Sequence, residues 1–337
     1  MTRKINNSYL LGQSNAPTTG GDMLKTRTDG TPVWEEVDGE SYLPPVWYGD
    51  RGIFSLDYND NDIDYINITS AGNAQNFGDL TVARGYGGAC SNGSRGVFIG
   101  GFQDDVVDYD TIDYITISTT GNATDFGDLT TVRQGGGACS EGTRGVSGGG
   151  KVRAGTQLDI IEYITVASTG DAADFGDLTQ ARNFTASCAD SSRGIWAGGG
   201  TSGTPRNTID YVTISTTADA TDFGDLTVAR YGSAGCSSTT RGVFGGGGWV
   251  GAIDGTVIDY ITIQTTADAA DFGDLTIEAE QLGGCSNTTT AVFAGGYHPS
   301  TSRTNIMDYI TIASTGDAAD FGDLTDSRYP LSGCSGD

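Results

Sequence analysis

The chain has 337 residues, 53 of them Gly and only 18% charged, and 43 acidic side chains outweigh 18 Lys and Arg for a formal net charge of −25. A surface of that sign repels nucleic acid and anionic membranes, so neither is an expected partner. His298 is the sole histidine, which leaves a multi-histidine metal centre without ligands and disfavours a His-based catalytic triad.

In chain order, the opening MTRKINNSYLLG has no apolar stretch of the signal-peptide kind, and no later segment approaches the length of a membrane span. The expectation is synthesis in a cytoplasm without membrane insertion, followed by assembly into a larger particle or release by lysis. Residues 1–48 stand outside the repeats that follow. They carry LKTRTDGTPVWEEV at 24–37 and a linker-like Leu43-Pro44-Pro45. This stretch resembles short N-terminal segments of bacteriophage fibre and decoration proteins, in which Leu-Lys-Thr precedes Asp-Gly and a Trp. The resemblance implies an arm that docks the rest of the chain onto a virion, with Leu24 and Trp34 as anchoring residues. A strap packed beside the following domain is the alternative. TDGTPVW at 28–34 is also reminiscent of a sialidase Asp-box, but its Asp29 and Gly30 spacing is wrong and it lies outside the repeats.

The acidic stretch DYNDNDID at 57–64 offers enough oxygen atoms for weak Ca²⁺ binding but lacks the Gly and terminal Glu of an EF-hand loop. No other cofactor is implied. From residue 49 to 337 the chain repeats itself. FGDL begins at Phe77, Phe126, Phe175, Phe223, Phe272 and Phe321, at intervals of 49, 49, 48, 49 and 49 residues. A cysteine keeps the same beat, from Cys90 to Cys334. Fixed self-similarity of this period predicts a propeller or a solenoid. Equivalent positions in a rotational array are held apart, and a disulfide needs Cα atoms within about 7 Å, so the cysteines read as small buried residues. A thiol ring binding metal is the competing reading, though no CxxC or Cys/His pairing accompanies it.

One unit, residues 133–182, shows the organisation. A glycine-rich QGGGACS, the turn SEGT and RGVSGGG are followed by the variable KVRAGTQLD. IIEYITVAST, the turn STGD and AADFGDLTQAR then complete the unit. Four short extended segments with turn signals about every ten residues predict a four-stranded antiparallel blade. Ile112, Tyr114 and Thr116 alternate with Asp113, Ile115 and Ile117, so both faces carry apolar groups, as in a blade between two neighbours. Phe126 and its equivalents are expected to plug the space between blades.

The opening Arg, the Gly-Gly doublets such as Gly148-Gly149 and Gly198-Gly199, and the aromatic pairs such as Tyr114/Phe126 resemble the Kelch repeat. Phe stands where Kelch units usually carry Trp, and the pair is more widely spaced. The units are also similar to repeats encoded by marine phages. The last unit stops at CSGD, residues 334–337, and the continuation it lacks sits at Asp50-Arg51-Gly52-Ile53-Phe54. The expected architecture is therefore an all-β, six-bladed β-propeller (Kelch-like) of four-stranded antiparallel blades over 49–337, closed by pairing of N- and C-terminal strands. An open solenoid is the competing geometry.

Most charged residues recur with the repeat and read as structural. Arg84, Arg133, Arg182 and Arg230 open strands, and Arg95, Arg144, Arg193 and Arg241 follow turns. Pairing with repeated aspartates such as Asp125 and Asp128 accounts for them. The DFGD carboxylates, for example Asp174 and Asp177, recur in like surroundings and read as solvated turns or strand caps. Information concentrates where the copies disagree, in the loops joining second to third strands. There Phe102, Arg153, Arg206, Trp249 and Tyr297 are candidate contacts, since aromatics stack on sugars or protein surfaces and Arg recognises anions. His298, in the loop after a Gly-Gly doublet, is an exposed loop residue or a ligand contact. The resulting expectation is a non-enzymatic virion structural protein (fibre, appendage or decoration), present in many copies. Its arm binds other virion proteins, and its loops face a host-surface glycan or protein, or a neighbouring virion protein. The alternatives are a carbohydrate-active enzyme with an acidic site in the propeller channel, a cellular Kelch-type interaction module, or loops that vary without constraint.

Overall fold

The computed structural model describes residues 49–57, 60–103, 107–248 and 255–336, together with the backbone of 22–26 and 32–36. The chain divides into two compact units, Met1–Pro44 and Pro45–Asp337. In the first, strands Asp22–Thr26 and Pro32–Glu36 pair antiparallel, with Leu24 opposite Trp34 in the register.

The second unit is all-β and contains six four-stranded antiparallel sheets, the blades of a propeller. The 133–182 repeat yields Gly137–Ser140, Arg144–Gly148, Ile160–Thr165 and Ala173–Asp177, paired in sequence order. Blades are numbered here from the one containing Arg51–Ser55, so this repeat forms blade 3. The ring closes as the end-to-end match predicts. Ser332–Gly336 is the innermost strand of blade 1 and pairs with Arg51–Ser55, placing Cys334 opposite Ile53 and Gly336 opposite Arg51. Closure gives blade 1 the innermost strand that every other blade takes from its own repeat.

The FGD motif recurs because three constraints meet there. In blade 3, Ile161 pairs with Gly176 and Glu162 with Asp174, so Phe175 is the extra residue of a β-bulge. The bulge turns Phe175 into the core, where it is 2% exposed and meets Tyr163 edge-on at 6.1 Å. Gly176 has φ +148°, and a Cβ on it would lie 2.5 Å from the Ala218 carbonyl oxygen of the next blade. The Asp177 N–H then donates to the Asp219 carboxylate of that blade's turn at 3.1 Å, and equivalent bonds join every adjacent pair of blades. The uniform turns between third and fourth strands are thus inter-blade joints.

The core lies between blades. Cys90, Ile112 and Phe126 of blade 2 pack with Ala138, Ile164 and Val166 of blade 3, and five similar clusters complete the ring. All six cysteines are free and buried. The Cys90 sulfur fills space that Gly145 of the next blade leaves open, since a Cβ there would approach it to 2.8 Å. Burial pushes these thiols up, to about 12 for Cys139 and Cys334.

The arginine partners differ from the sequence expectation. Arg84 pairs with Asp113 at 2.7 Å, Arg182 with Asp210 and Arg230 with Asp259 at 3.0 Å, and Arg133 with Glu162. The partner is thus the third-strand carboxylate, whereas Asp125 and Asp128 are exposed. The third-strand group is fully buried and needs a counter-charge, while the FGD carboxylates are hydrated. A threonine after FGDL helps, as Thr179 Oγ1 donates to Asp210 at 2.6 Å. Among the described residues the second arginine set forms no ion pair with an aspartate. Arg144 stacks over Tyr163 at 4.3 Å and donates to the Ile214 carbonyl of the next blade at 3.0 Å. Blade 6 lacks both arginines, with Ala279 and Thr290 in their places. Its carboxylate Asp308 keeps only Thr276 among these partners, and burial raises its pKa.

Candidate functional site

In a four-stranded antiparallel meander the second and fourth strands end on the same face. The loops from second to third strands therefore share a face with the links from each fourth strand to the next blade. Hydrogen bonds join them: the Gly101 N–H donates to the Arg133 carbonyl and the Gly199 N–H to the Arg230 carbonyl, at 2.9 and 3.0 Å. Isolated bridges pair Gln134 with Lys151 and Glu280 with Tyr297.

Five successive links place a residue in the left-handed region beside the propeller axis: Tyr86, Gly135, Phe184, Gly232 and Gln281, with φ between 57° and 71°. Their backbones form a chain of hydrogen bonds from blade to blade. The Gly135 N–H donates to Tyr86 at 2.5 Å, Phe184 to Gly135 at 2.6 Å, Gly232 to Phe184 at 2.9 Å and Gln281 to Gly232 at 2.5 Å. Glycine takes this conformation without penalty, whereas Tyr86, Phe184 and Gln281 each bear a cost of about 1–3 kcal/mol. All three strained residues are among those that line the axial mouth, a cavity of about 90 Å³.

An aromatic arc borders this mouth. Phe102 lies 6.4 Å from Tyr86, Tyr86 5.3 Å from Phe184, and Phe184 5.9 Å from Tyr231. Lys151 sits over the Phe184 ring at 5.3 Å. A second pair, Tyr297 and Tyr329, meets edge-on at 5.5 Å, with Arg303 over Tyr329 at 5.3 Å. Gly135 makes room for the arc, because a Cβ on it would stand 2.8 Å from the Phe184 ring. Beneath the arc the Thr185 and Ser233 hydroxyls and the Gln281 side-chain oxygen are buried without a hydrogen-bond partner among the described residues. Glu280, on the adjacent link, has its carboxyl raised by burial, and Tyr231 is raised by burial and by Glu280.

The sequence-derived candidates separate into groups. Phe102 and Tyr297 join the aromatic clusters. Arg153 is exposed, and its backbone N–H donates to Asp108. Arg206 is half-buried, and its Nε has no hydrogen-bond partner among the described residues. Trp249 lies outside the described residues. His298 is half-buried rather than exposed, and its Nδ1 accepts from the Ser300 N–H at 3.2 Å, which folds its own loop. Of the acidic 57–64 stretch, residues 58 and 59 lie outside the described residues, Asp57 pairs with Arg303 at 2.8 Å, and Asp64 accepts from Thr325. Among the described residues no three carboxylate, Cys or His side chains converge to hold a metal ion.

Tyr86, Phe184, Tyr231, Gln281 and Tyr329 were missed by sequence reasoning. They belong to the residue pairs after the repeated arginine: GY, QG, NF, YG, EQ and YP. These pairs disagree from copy to copy as the loops do, so the same criterion would have found them. They escaped because they sit inside segments read as strand. No protein-family model matches the chain, and no curated protein matches it.

Proposed function

We propose that the protein is a non-enzymatic structural protein of a phage virion, a fibre, appendage or decoration component with a Kelch-like propeller. The N-terminal arm, with Leu24 and Trp34, docks onto other virion proteins, and many copies present their variable face to a host-surface glycan or protein.

One observation carries the recognition part of this reading: the two faces of the propeller differ in kind. One face is built from repeated turns, each engaged by the neighbouring blade through bonds such as Asp177 to Asp219. The other gathers individual loops, an aromatic arc and unpartnered buried polar atoms around the axis. Symmetry spent on one side and individuality on the other is how a scaffold presents a binding surface. The virion part rests on the resemblance of residues 24–37 to phage arms. Mass spectrometry and immuno-electron microscopy of purified particles test it. The protein should co-purify with particles in several copies, and its absence from them would refute the assignment.

A further inference from the structure

We infer that the blade 3 and blade 4 sector of the variable face binds an acidic polysaccharide with carboxylates on its rings, an inference that rests on the reading of this face as a recognition surface. The fourteen Lys and Arg residues after residue 48 divide into two kinds. Ten belong to the scaffold: five pair with third-strand carboxylates, and five donate to a carbonyl of the next blade. The other four, Lys151, Arg153, Arg206 and Arg303, all lie on loops between second and third strands. Arg303 is engaged by Asp57. Lys151, Arg153 and Arg206 have no ion-pair partner among the described residues, and they fall on adjoining loops of blades 3 and 4. Those loops touch, with the Ser202 hydroxyl 3.5 Å from the Gln157 side-chain oxygen. Within 150–159 and 198–208 the one carboxylate is Asp159, which lies beside Asp177 of the outer strand. Asp108, which meets the first loop from blade 2, is held by the Arg153 backbone N–H and the Gln134 amide.

The aromatic arc adjoins these cations. Tyr86, Phe184 and Tyr231 are each half-buried, leaving part of every ring to solvent, and Lys151 stands over Phe184 at 5.3 Å. Tyr86 and Phe184 hold φ of 59° and 57°, where blades 3 and 5 use Gly135 and Gly232, so the chain bears backbone strain to keep rings at this place. Ring faces stack on the C–H faces of pyranoses, and the planar guanidinium fork of an exposed arginine such as Arg153 matches a carboxylate. A polymer of acidic sugars supplies both partners along one strand. An acidic peptide supplies the charge without the sugar faces, and a neutral glycan supplies the faces without the charge. The whole-chain charge of −25 opposes a polyanion at long range. At physiological salt that field is screened within about 8 Å, so the local cations decide the contact.

The test is titration calorimetry on the full chain with oligogalacturonate, a neutral dextran oligomer and oligoglutamate of similar length. Oligogalacturonate should bind more tightly than either of the others. Lys151→Gln and Arg153→Gln should each weaken that binding about two- to fivefold, the worth of an exposed ion pair. The triple variant with Arg206→Gln should weaken it about tenfold or more. Phe184→Leu should weaken it as well, with melting temperatures showing that each variant folds. The arm variant Lys4→Gln/Lys25→Gln should bind as the parent does. No binding of oligogalacturonate, or binding that the triple variant leaves intact, overturns the inference. So does loss in the arm variant alone. Oligoglutamate bound as tightly would reassign the sector to an acidic protein, and dextran bound as tightly would remove the role of charge. A glycan array with the same proteins separates these failures from failure of the wider reading. Neutral glycans bound by the parent and lost in Tyr297→Ala would discard the acidic ligand and keep the face. A parent protein that binds neither the array nor any of the three oligomers would count against glycan recognition altogether.

Discussion

Replacing Arg182 by Met tests the buried ion-pair account most sharply. Arg182 and Asp210 are both fully buried, 3.0 Å apart, and the arginine has no hydrated alternative. Methionine fills much of the arginine stem but leaves Asp210 with only its two bonds from Thr179, at 2.6 and 3.2 Å. Breaking a buried pair by removing one partner costs roughly 3–5 kcal/mol. Asp308 shows the outcome already present in blade 6, where Ala279 replaces the arginine and the carboxyl is raised. The same should happen to Asp210 in the variant. A carboxyl with its folded pKa above the unfolded value is better tolerated when protonated. The deficit should therefore be full at pH 7 and shrink as the pH falls towards the ordinary carboxylate range. Urea denaturation of parent, Arg182→Met, Asp210→Asn and the double variant at pH 7 and pH 5 measures both quantities. The double variant should recover part of the loss. A cost below about 1 kcal/mol, or one independent of pH, would refute the reasoning.

Other outcomes follow from the same geometry. Asp308→Asn should stabilise the fold at pH 7, because the native carboxyl is raised by burial. The gain should shrink as the pH falls towards the ordinary carboxylate range, as denaturation across pH 4–8 would reveal. Thr290→Arg should supply the missing brace between blades 6 and 1, over Tyr309 and to the Ile68 carbonyl. Stacking and one hydrogen bond together predict about 1–2 kcal/mol of added stability, seen as a higher Tm. Gly176→Ala should cost more than about 2 kcal/mol, since the new Cβ meets the Ala218 carbonyl oxygen and the backbone conformation suits only glycine. An unchanged melting curve for that variant would contradict the inter-blade joint.

The fold was legible because symmetry multiplies weak signals. One FGDL could be any turn, but six at a near-constant spacing count the blades, and the broken unit at Cys334 points to its completion at Arg51. What the repeat could not reveal was which copy-to-copy differences face the axis. Tyr86 and Phe184 are single changes beside glycine-rich inner segments and look like drift until the strands are arranged radially. The arginine partners were misassigned for a related reason. Asp113 shares its side of the strand with Ile115 and Ile117, a covered face, but the more prominent FGD aspartates drew the pairing away from it. Phe102 and Tyr297 were found because loop variation is visible without coordinates. Lys151 was passed over in favour of Arg153, although Lys151 is the cation that sits on the aromatic arc.

The three lysines provide the most direct test of the central claim. Lys4 and Lys25 lie in the N-terminal arm and Lys151 beside the axial mouth. Amine cross-linking of intact purified particles, followed by peptide mass spectrometry, should join Lys4 or Lys25 to other virion proteins, while Lys151 takes up a soluble amine reagent without cross-linking to the particle. Cross-links from Lys151 to the virion with the arm free, or particles that lack the protein, would contradict a propeller anchored by its arm with its variable face turned outward.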